Sequence, residues 1–218
     1  MGAKRKPSSS LRSAVAQRSH SLAASVAEMV NHCKDLETIV EFLLHWMQNE
    51  TIVRILDAGR SRLAAAIPAN RLAHGGARVF IQDDIIPMPH TVKGGGIIAA
   101  SASGKTRAVL DVLKFVKGKA PHIVVIGIAD HTAQEFEQYC SYFIGIHEVR
   151  DNSDPLRVLA DFGEYVISEL LDALVVAAGR QGGFDERKWR LGYENIDSTG
   201  PYDYRDQIQM NLLFSDLY

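Results

Sequence analysis

The segment Gly96-Ile97-Ile98-Ala99-Ala100-Ser101-Ala102-Ser103-Gly104-Lys105-Thr106 decides how this chain reads. Its first five residues are small or apolar and uncharged, as in a strand buried on both faces. Ser101 to Thr106 then supply three hydroxyls and a glycine, and a helix-length segment of about 104–117 follows. Helix N-termini present unpaired N–H groups and a partial positive charge, which favour phosphate. Hydroxyls of Ser101, Ser103 and Thr106 can donate to phosphate oxygens without adding charge. A single N-cap serine would require no ligand. Two serines and a threonine around a glycine exceed that need and point to an anion site. Gly104-Lys105-Thr106 also matches the end of a nucleotide-binding P-loop, and Ile123 to Asp130 resembles a metal-binding strand ending in Asp. The P-loop needs its first glycine at position 99, where Ala99 stands, so an ATPase reading is disfavoured.

Outward from this segment, short apolar stretches rich in β-branched residues recur at Thr51 to Leu56, Arg78 to Gln82, His122 to Ile128 and Tyr142 to Ile146. Helix-length segments of about 61–75, 104–117 and 131–140 separate them, and a longer one runs from about Pro155 to Ala178. This alternation predicts an α/β fold: a five-stranded parallel sheet flanked by helices, a three-layer sandwich of flavodoxin-like type. In open α/β sheets, ligands bind beyond the carboxyl ends of the strands. The turn after the first strand, Asp57-Ala58-Gly59-Arg60-Ser61, again offers a glycine and a serine, with Arg60 able to pair with phosphate or carboxylate. Either loop alone is a weak signal, since Gly59 could simply permit a turn and Arg60 lie on the surface. Two such loops on one sheet could converge on one ligand.

Upstream, Leu22, Val26, Met29, Val30 and Cys33, then Leu36, Ile39, Val40, Leu43 and Leu44, recur at helical spacing. Residues 1–10 are polar and read as a disordered tail, 11–180 as a single domain including these helices. Residues 181–218 read as a C-terminal arm that packs on the core or on a neighbouring subunit. The chain has 218 residues, 46% apolar, with a formal net charge of −2. That balance excludes wholesale disorder and argues against a nucleic-acid partner. Cys33 and Cys140 are the only cysteines, which fits a reducing, cytoplasmic setting with no disulfide framework. No H-x-x-x-H or Cys/His cluster occurs, so no metal and no cofactor are expected. Apolar runs stay at strand length, so no membrane association is expected.

The paired motifs DAGRS (57–61) and SASGKT (101–106), in this element order, resemble the sugar isomerase (SIS) domain family over about residues 35–180. Within it the chain is similar to the 6-phospho-3-hexuloisomerases. Ala69-Asn70-Arg71-Leu72-Ala73-His74-Gly75-Gly76 is similar to their A-M-R-L-M-H-L-G helix, and Ile85-Ile86-Pro87 loosely echoes T-x-T-P. Phe162-Gly163-Glu164 through Leu171-Asp172-Ala173 fits F-E…L-D-A with one extra residue, and Tyr193-Glu194-Asn195-Ile196-Asp197 lines up with H-A-N-L-E. The resemblance implies an isomerase that moves a carbonyl of a sugar phosphate through an enediol, in its best-specified form 3-hexulose 6-phosphate to fructose 6-phosphate. It equally admits a non-catalytic phosphosugar-binding or regulatory protein, and it implies a homo-oligomer, dimer or tetramer. Gly59, Arg60, Ser61, Ser101, Ser103, Gly104 and Thr106 match phosphate- and substrate-binding positions, Glu164 the carboxylate base, and His74 a second catalytic position. Asp161, three residues before Glu164 on the same helical face, is the alternative base. Asp161, Glu164, Ser168 and Asp172 read as well as the wet stripe of an amphipathic helix. Apolar neighbours Phe162, Tyr165, Val166 and Ile167 would suit a base. His131 and His90 also follow strands and are further candidates. The chain departs from the pattern at Asp57 (Gly in the motif), Lys105 (Glu) and Tyr193 (His).

Overall fold

A computed structural model describes residues 9–81, 94–147, 161–185 and 188–189. The elements are α1 (Ser9–His32), α2 (Leu36–Gln48), β1 (Ile52–Leu56), α3 (Arg60–His74), β2 (Arg78–Ile81), β3 (Gly96–Ser101), α4 (Arg107–Lys119), β4 (Val124–Asp130), α5 (Gln134–Glu137), β5 (Tyr142–Ile146) and α6 (Asp161–Gln181). The five strands form one sheet in the order β2-β1-β3-β4-β5 with every pairing parallel. The alternating strands and helices therefore build the expected three-layer α/β sandwich. Helix α1 starts two residues inside the stretch read as a tail, and residues 1–8 lie outside the described residues.

Side-chain alternation sorts the sheet's two faces into two cores. Val53, Ile55, Ile98, Ala100, Ile126, Ile128, Ile144 and Ile146 face helices α1, α2, α3 and α6. Leu56, Ile97, Ala99, Val125 and Ala129 face α4 and α5. Strand β3 lies at the centre and is buried along its whole length. That is why its sequence shows no polar alternation. Ala99 lies inside this strand, paired with Leu56 and Gly127, so the backbone at 99 is not part of a phosphate-wrapping loop. Trp46 of α2 packs where β3 begins: a Cβ at Gly96 would fall 2.1 Å from its ring. Glycine there makes room for the indole.

Two sequence expectations change. The segment 131–140 forms only the single turn α5, anchored by buried Ala133 and Phe136. Its chain must turn back at once to start β5, and Ser141 N–H already donates to Val125 O at 2.8 Å. Strand β4 begins two residues later than expected and runs on to Asp130. Pro155, the expected helix start, lies outside the described residues, as do His90, Ile85-Ile86-Pro87 and Tyr193. Of the C-terminal arm, Phe184 is buried in the core and Trp189 packs against it. The indole covers Gly179, where a Cβ would come within 2.3 Å of it.

Candidate functional site

The strand order 2-1-3-4-5 reverses direction between β1 and β3. At such a switch point the connections leave to opposite sides and open a crevice at the carboxyl edge. The two loops singled out in the sequence are the ones that flank this crevice.

After β3, the backbone turns tightly: Gly104 N–H donates to Ser101 O at 3.0 Å. Gly104 has φ +65° and packs against the start of α5, where a Cβ would meet that of Ala133 at 2.2 Å. Glycine is thus required twice, by backbone angle and by space. Ser101 is 1% exposed, and its Oγ shares a hydrogen bond of 2.9 Å with Thr106 Oγ1. Ser103 is exposed, and its Oγ accepts from Lys105 N–H at 3.3 Å. Helix α4 begins after Thr106 with no side-chain cap. The loop therefore presents two serines, a threonine and a helix terminus within six residues.

After β1, Gly59 has φ +62° and ψ −132°, a conformation reserved for glycine, and opens α3, which likewise has no side-chain cap. Ser61 is 8% exposed. Arg60 is the first residue of α3. Asp57 is 6% exposed, and among the described residues neither carboxylate oxygen meets a hydrogen-bond partner. Burial pushes its pKa up to about 6, with Arg62 opposing the rise.

Helix α6 brings the third part. Gly163 rests on the β3 loop, where a Cβ would approach Ala102 Cβ to 2.8 Å. Half-buried Glu164 follows immediately, between that contact and exposed Tyr165. Arg71 Nε donates to Asp172 Oδ1 at 2.5 Å, joining α3 to α6. These two residues each stand eleven positions beyond the first residue of their helix. The helices run side by side in the same sense, so Ser61 and Glu164 lie at the same edge of the sheet. Asp172 is thus an ion-pair partner and not free wet surface. Asp161 opens α6, one turn before Glu164.

His74 does not join this group within one chain. It ends α3, at the opposite, amino edge of the sheet, three residues before Ala77, whose N–H donates to Leu72 O. Burial first, then Arg71, lowers its pKa. His131 turns toward β5: its Nδ1 lies 3.1 Å from Ile146 O and its ring stacks on His147 at 4.5 Å. The ring of His32 from α1 is also close to that of His147, tilted against it at 4.7 Å. The sequence reading missed this three-histidine stack, because its members lie far apart in the chain on elements that pair only in the fold. Among the described residues no group of three or more His, Cys, Asp or Glu is placed to hold a metal ion. Likewise, no described helix is long and apolar enough to cross a membrane.

No family model and no curated protein matches the chain. Solved structures do. A Methanococcus jannaschii protein, whose structure was taken to infer a 3-hexulose-6-phosphate isomerase function, is 20% identical with a TM-score of 0.63, over 80% of this chain and 93% of that one. The chain has the sugar isomerase fold. The Vibrio vulnificus NanR protein, complexed with ManNAc-6P, shares that fold at 16% identity and a TM-score of 0.66, over 86% of this chain and 70% of that one. So does the sugar isomerase domain of an RpiR transcription factor from Sphaerobacter thermophilus, at 10% identity and a TM-score of 0.62, over 84% and 97% of the two chains. On this fold the two loops, α6 and the switch point form one corner of the molecule.

Proposed function

We propose that this protein is a phosphosugar isomerase of the SIS family whose site is the crevice between β1 and β3. The observation that supports the reading is that three parts share one edge: the hydroxyl-rich loop 101–106, the Gly59–Ser61 turn, and the start of α6, where Gly163, the residue before Glu164, packs on Ala102. The phosphate is assigned to Ser61, Ser101, Ser103 and Thr106, with the first N–H groups of α4. Gly59 and Gly104 let the backbone approach it, and Arg60 is assigned to it from its place at the start of α3. The Ser101–Thr106 hydrogen bond holds both hydroxyls ready to turn toward an anion. Phosphate binding far from the reacting carbons supplies positioning energy.

Moving a carbonyl along a sugar requires removing a proton from one carbon and returning it to the next, through an enediol. Glu164 is the base, with Asp161 the alternative. A second group must serve the oxygen protons, and His74 could do so only from a neighbouring subunit of a homo-oligomer. The best-specified substrate pair is 3-hexulose 6-phosphate and fructose 6-phosphate, a reading supported by the function inferred for the Methanococcus protein. A cytoplasmic protein with a core domain of residues 11–180 and a docking arm of 181–218 is part of the same proposal. Turnover of a panel of sugar phosphates by the full chain tests it. Expected is carbonyl transfer that Glu164→Gln abolishes; no turnover of any member, with binding retained, would favour the second reading. That reading is a phosphosugar-binding module without catalysis, favoured by the same fold in an RpiR transcription factor.

A further inference from the structure

Asp57 is used by none of the steps above, and its position is costly. A buried carboxyl with no hydrogen-bond donor opposite either oxygen among the described residues loses hydration that the charge of Arg62 offsets only in part. Such orphans are rare in folded proteins and call for a partner supplied from elsewhere. The register places it: Leu56 pairs with Ala99, so Asp57 lies one step further along, beside Ala100. Side-chain alternation carries it to the same face as Val53 and Ile55, the face covered by α3 and α6. Ala100 and Ala102 share that face, and Gly163 of α6 closes on Ala102. Ser101, by contrast, alternates toward the α4 side, where Thr106 meets it. Ser101 and Thr106 thus lie on the α4 side of the sheet's edge, and Asp57, Ser61 and Glu164 lie on the side of α3 and α6. A sugar phosphate held by the β3 loop could extend its carbon chain toward the α3 and α6 side, where both carboxyls lie.

We propose that Asp57 is the second proton carrier of the isomerisation, acting within one chain on the sugar's oxygens while Glu164 acts on its carbons. The proposal rests on the isomerase reading above. As the Glu164 carboxylate removes the proton from carbon, the Asp57 carboxylic acid donates its proton to the neighbouring carbonyl oxygen. A neutral enediol forms, with Glu164 protonated and Asp57 ionised. Glu164 then returns its proton to the former carbonyl carbon. Asp57 takes the proton from the other hydroxyl, whose oxygen becomes the new carbonyl, and both residues regain their starting states. The raised pKa of Asp57 suits a group that must start as the acid. The substrate's oxygens also give the buried carboxyl hydrogen-bond partners that no described residue gives it.

The test is steady-state kinetics of the full chain with fructose 6-phosphate between pH 5 and 9, for wild type, Asp57→Asn, Asp57→Glu and His74→Gln. Expected is a kcat lowered about 100-fold or more in Asp57→Asn, with KM within about threefold. Asp57→Glu should recover part of the loss. Wild-type kcat/KM should decline as pH rises past about 6, and this limb should vanish in Asp57→Asn. Melting temperature separates chemistry from folding, since Asp57→Asn should not lower it. An Asp57→Asn variant within threefold of wild-type kcat overturns the proposal, as does a loss confined to His74→Gln. A wild-type protein that turns over no sugar phosphate overturns the isomerase reading itself, and this inference with it; that result differs from the others because wild type and variants would then be alike.

Discussion

The carboxyl ends of β1 and β3 stand side by side in one sheet, yet they settle their polar groups in opposite ways. After β3 the loop satisfies itself: Ser101 and Thr106 bond to one another, and Gly104 N–H reaches Ser101 O. After β1, Asp57 is buried with neither oxygen met among the described residues. Gly59 and Gly104 share nearly the same φ, but a Cβ at Gly59 meets nothing within 4 Å whereas one at Gly104 collides with Ala133. One strand end meets its own polar groups with internal hydrogen bonds. The other holds a group whose burial no described residue offsets with a hydrogen bond and Arg62 offsets only in part, and natural proteins retain such costs where function needs them.

The largest expected effect comes from removing the group proposed as the base. Glu164→Gln should lower kcat for sugar-phosphate isomerisation by about 10³-fold while leaving ligand-induced stabilisation in place. Initial-rate and thermal-shift measurements on the same preparation would show the split. A variant with wild-type rate would remove Glu164 from the chemistry and shift attention to Asp161.

The glycines come next. Gly104→Ala should cost about 3 kcal/mol in urea unfolding, from backbone strain plus forced repacking. Gly59→Ala should cost about 1–2 kcal/mol, from strain alone. Equal losses would show that the two turns are constrained alike, against the contrast drawn from their surroundings.

Asp57→Asn should raise stability at neutral pH. A carboxyl whose pKa is raised in the folded state holds its proton longer there than in the unfolded chain. Ionisation therefore destabilises the fold, fully above the folded pKa of about 6 and not at all below about 4. The gain from Asn is at most about 3 kcal/mol at pH 8 and should fade toward pH 4. Denaturant midpoints across that range check it. A variant less stable than wild type at pH 8 would mean that Asp57 is satisfied in the free protein.

The smallest effect lies away from the crevice. Burial, then His131 and His32, lower the pKa of His147, with Glu28 and Asp130 opposing. A depressed histidine stabilises the fold above its unfolded pKa, and that stability is lost as pH falls. His147→Gln should narrow the difference in melting temperature between pH 8 and pH 5.5. An unchanged difference would leave the stack without a role in pH dependence.

Much of the fold was legible in the sequence because buried parallel strands advertise themselves. Gly96 to Ala100 and Tyr142 to Ile146 carry no charge, and Gly59 and Ser101 punctuate the strand ends where the chain must turn. The segment 131–140 misled because its composition suits a helix while its length is dictated by the return to β5. The candidate site was partly legible: the hydroxyl loop is contiguous, so its pattern survives in one dimension. His74 was placed by motif likeness, and only the antiparallel run of α3 against β1 shows it at the far edge. Asp57 stood in plain view as a departure from a motif, but the lack of a hydrogen-bond partner among the described residues matters only because it is buried, which no local pattern reports. The stack of His32, His131 and His147 joins three elements and left no local signal.

The central claim is that a phosphosugar occupies the β1/β3 crevice with its phosphate on the β3 loop. The most direct measurement is the thermal shift of the full chain with fructose 6-phosphate, for wild type and for Ser101→Ala combined with Ser103→Ala. Ligand at about 100 times its Kd should stabilise wild type by about 2.7 kcal/mol. The double variant should fold and show little or no shift at the same concentration. An equal shift in both proteins would place the phosphate elsewhere, and no shift of wild type with any sugar phosphate would contradict the claim outright.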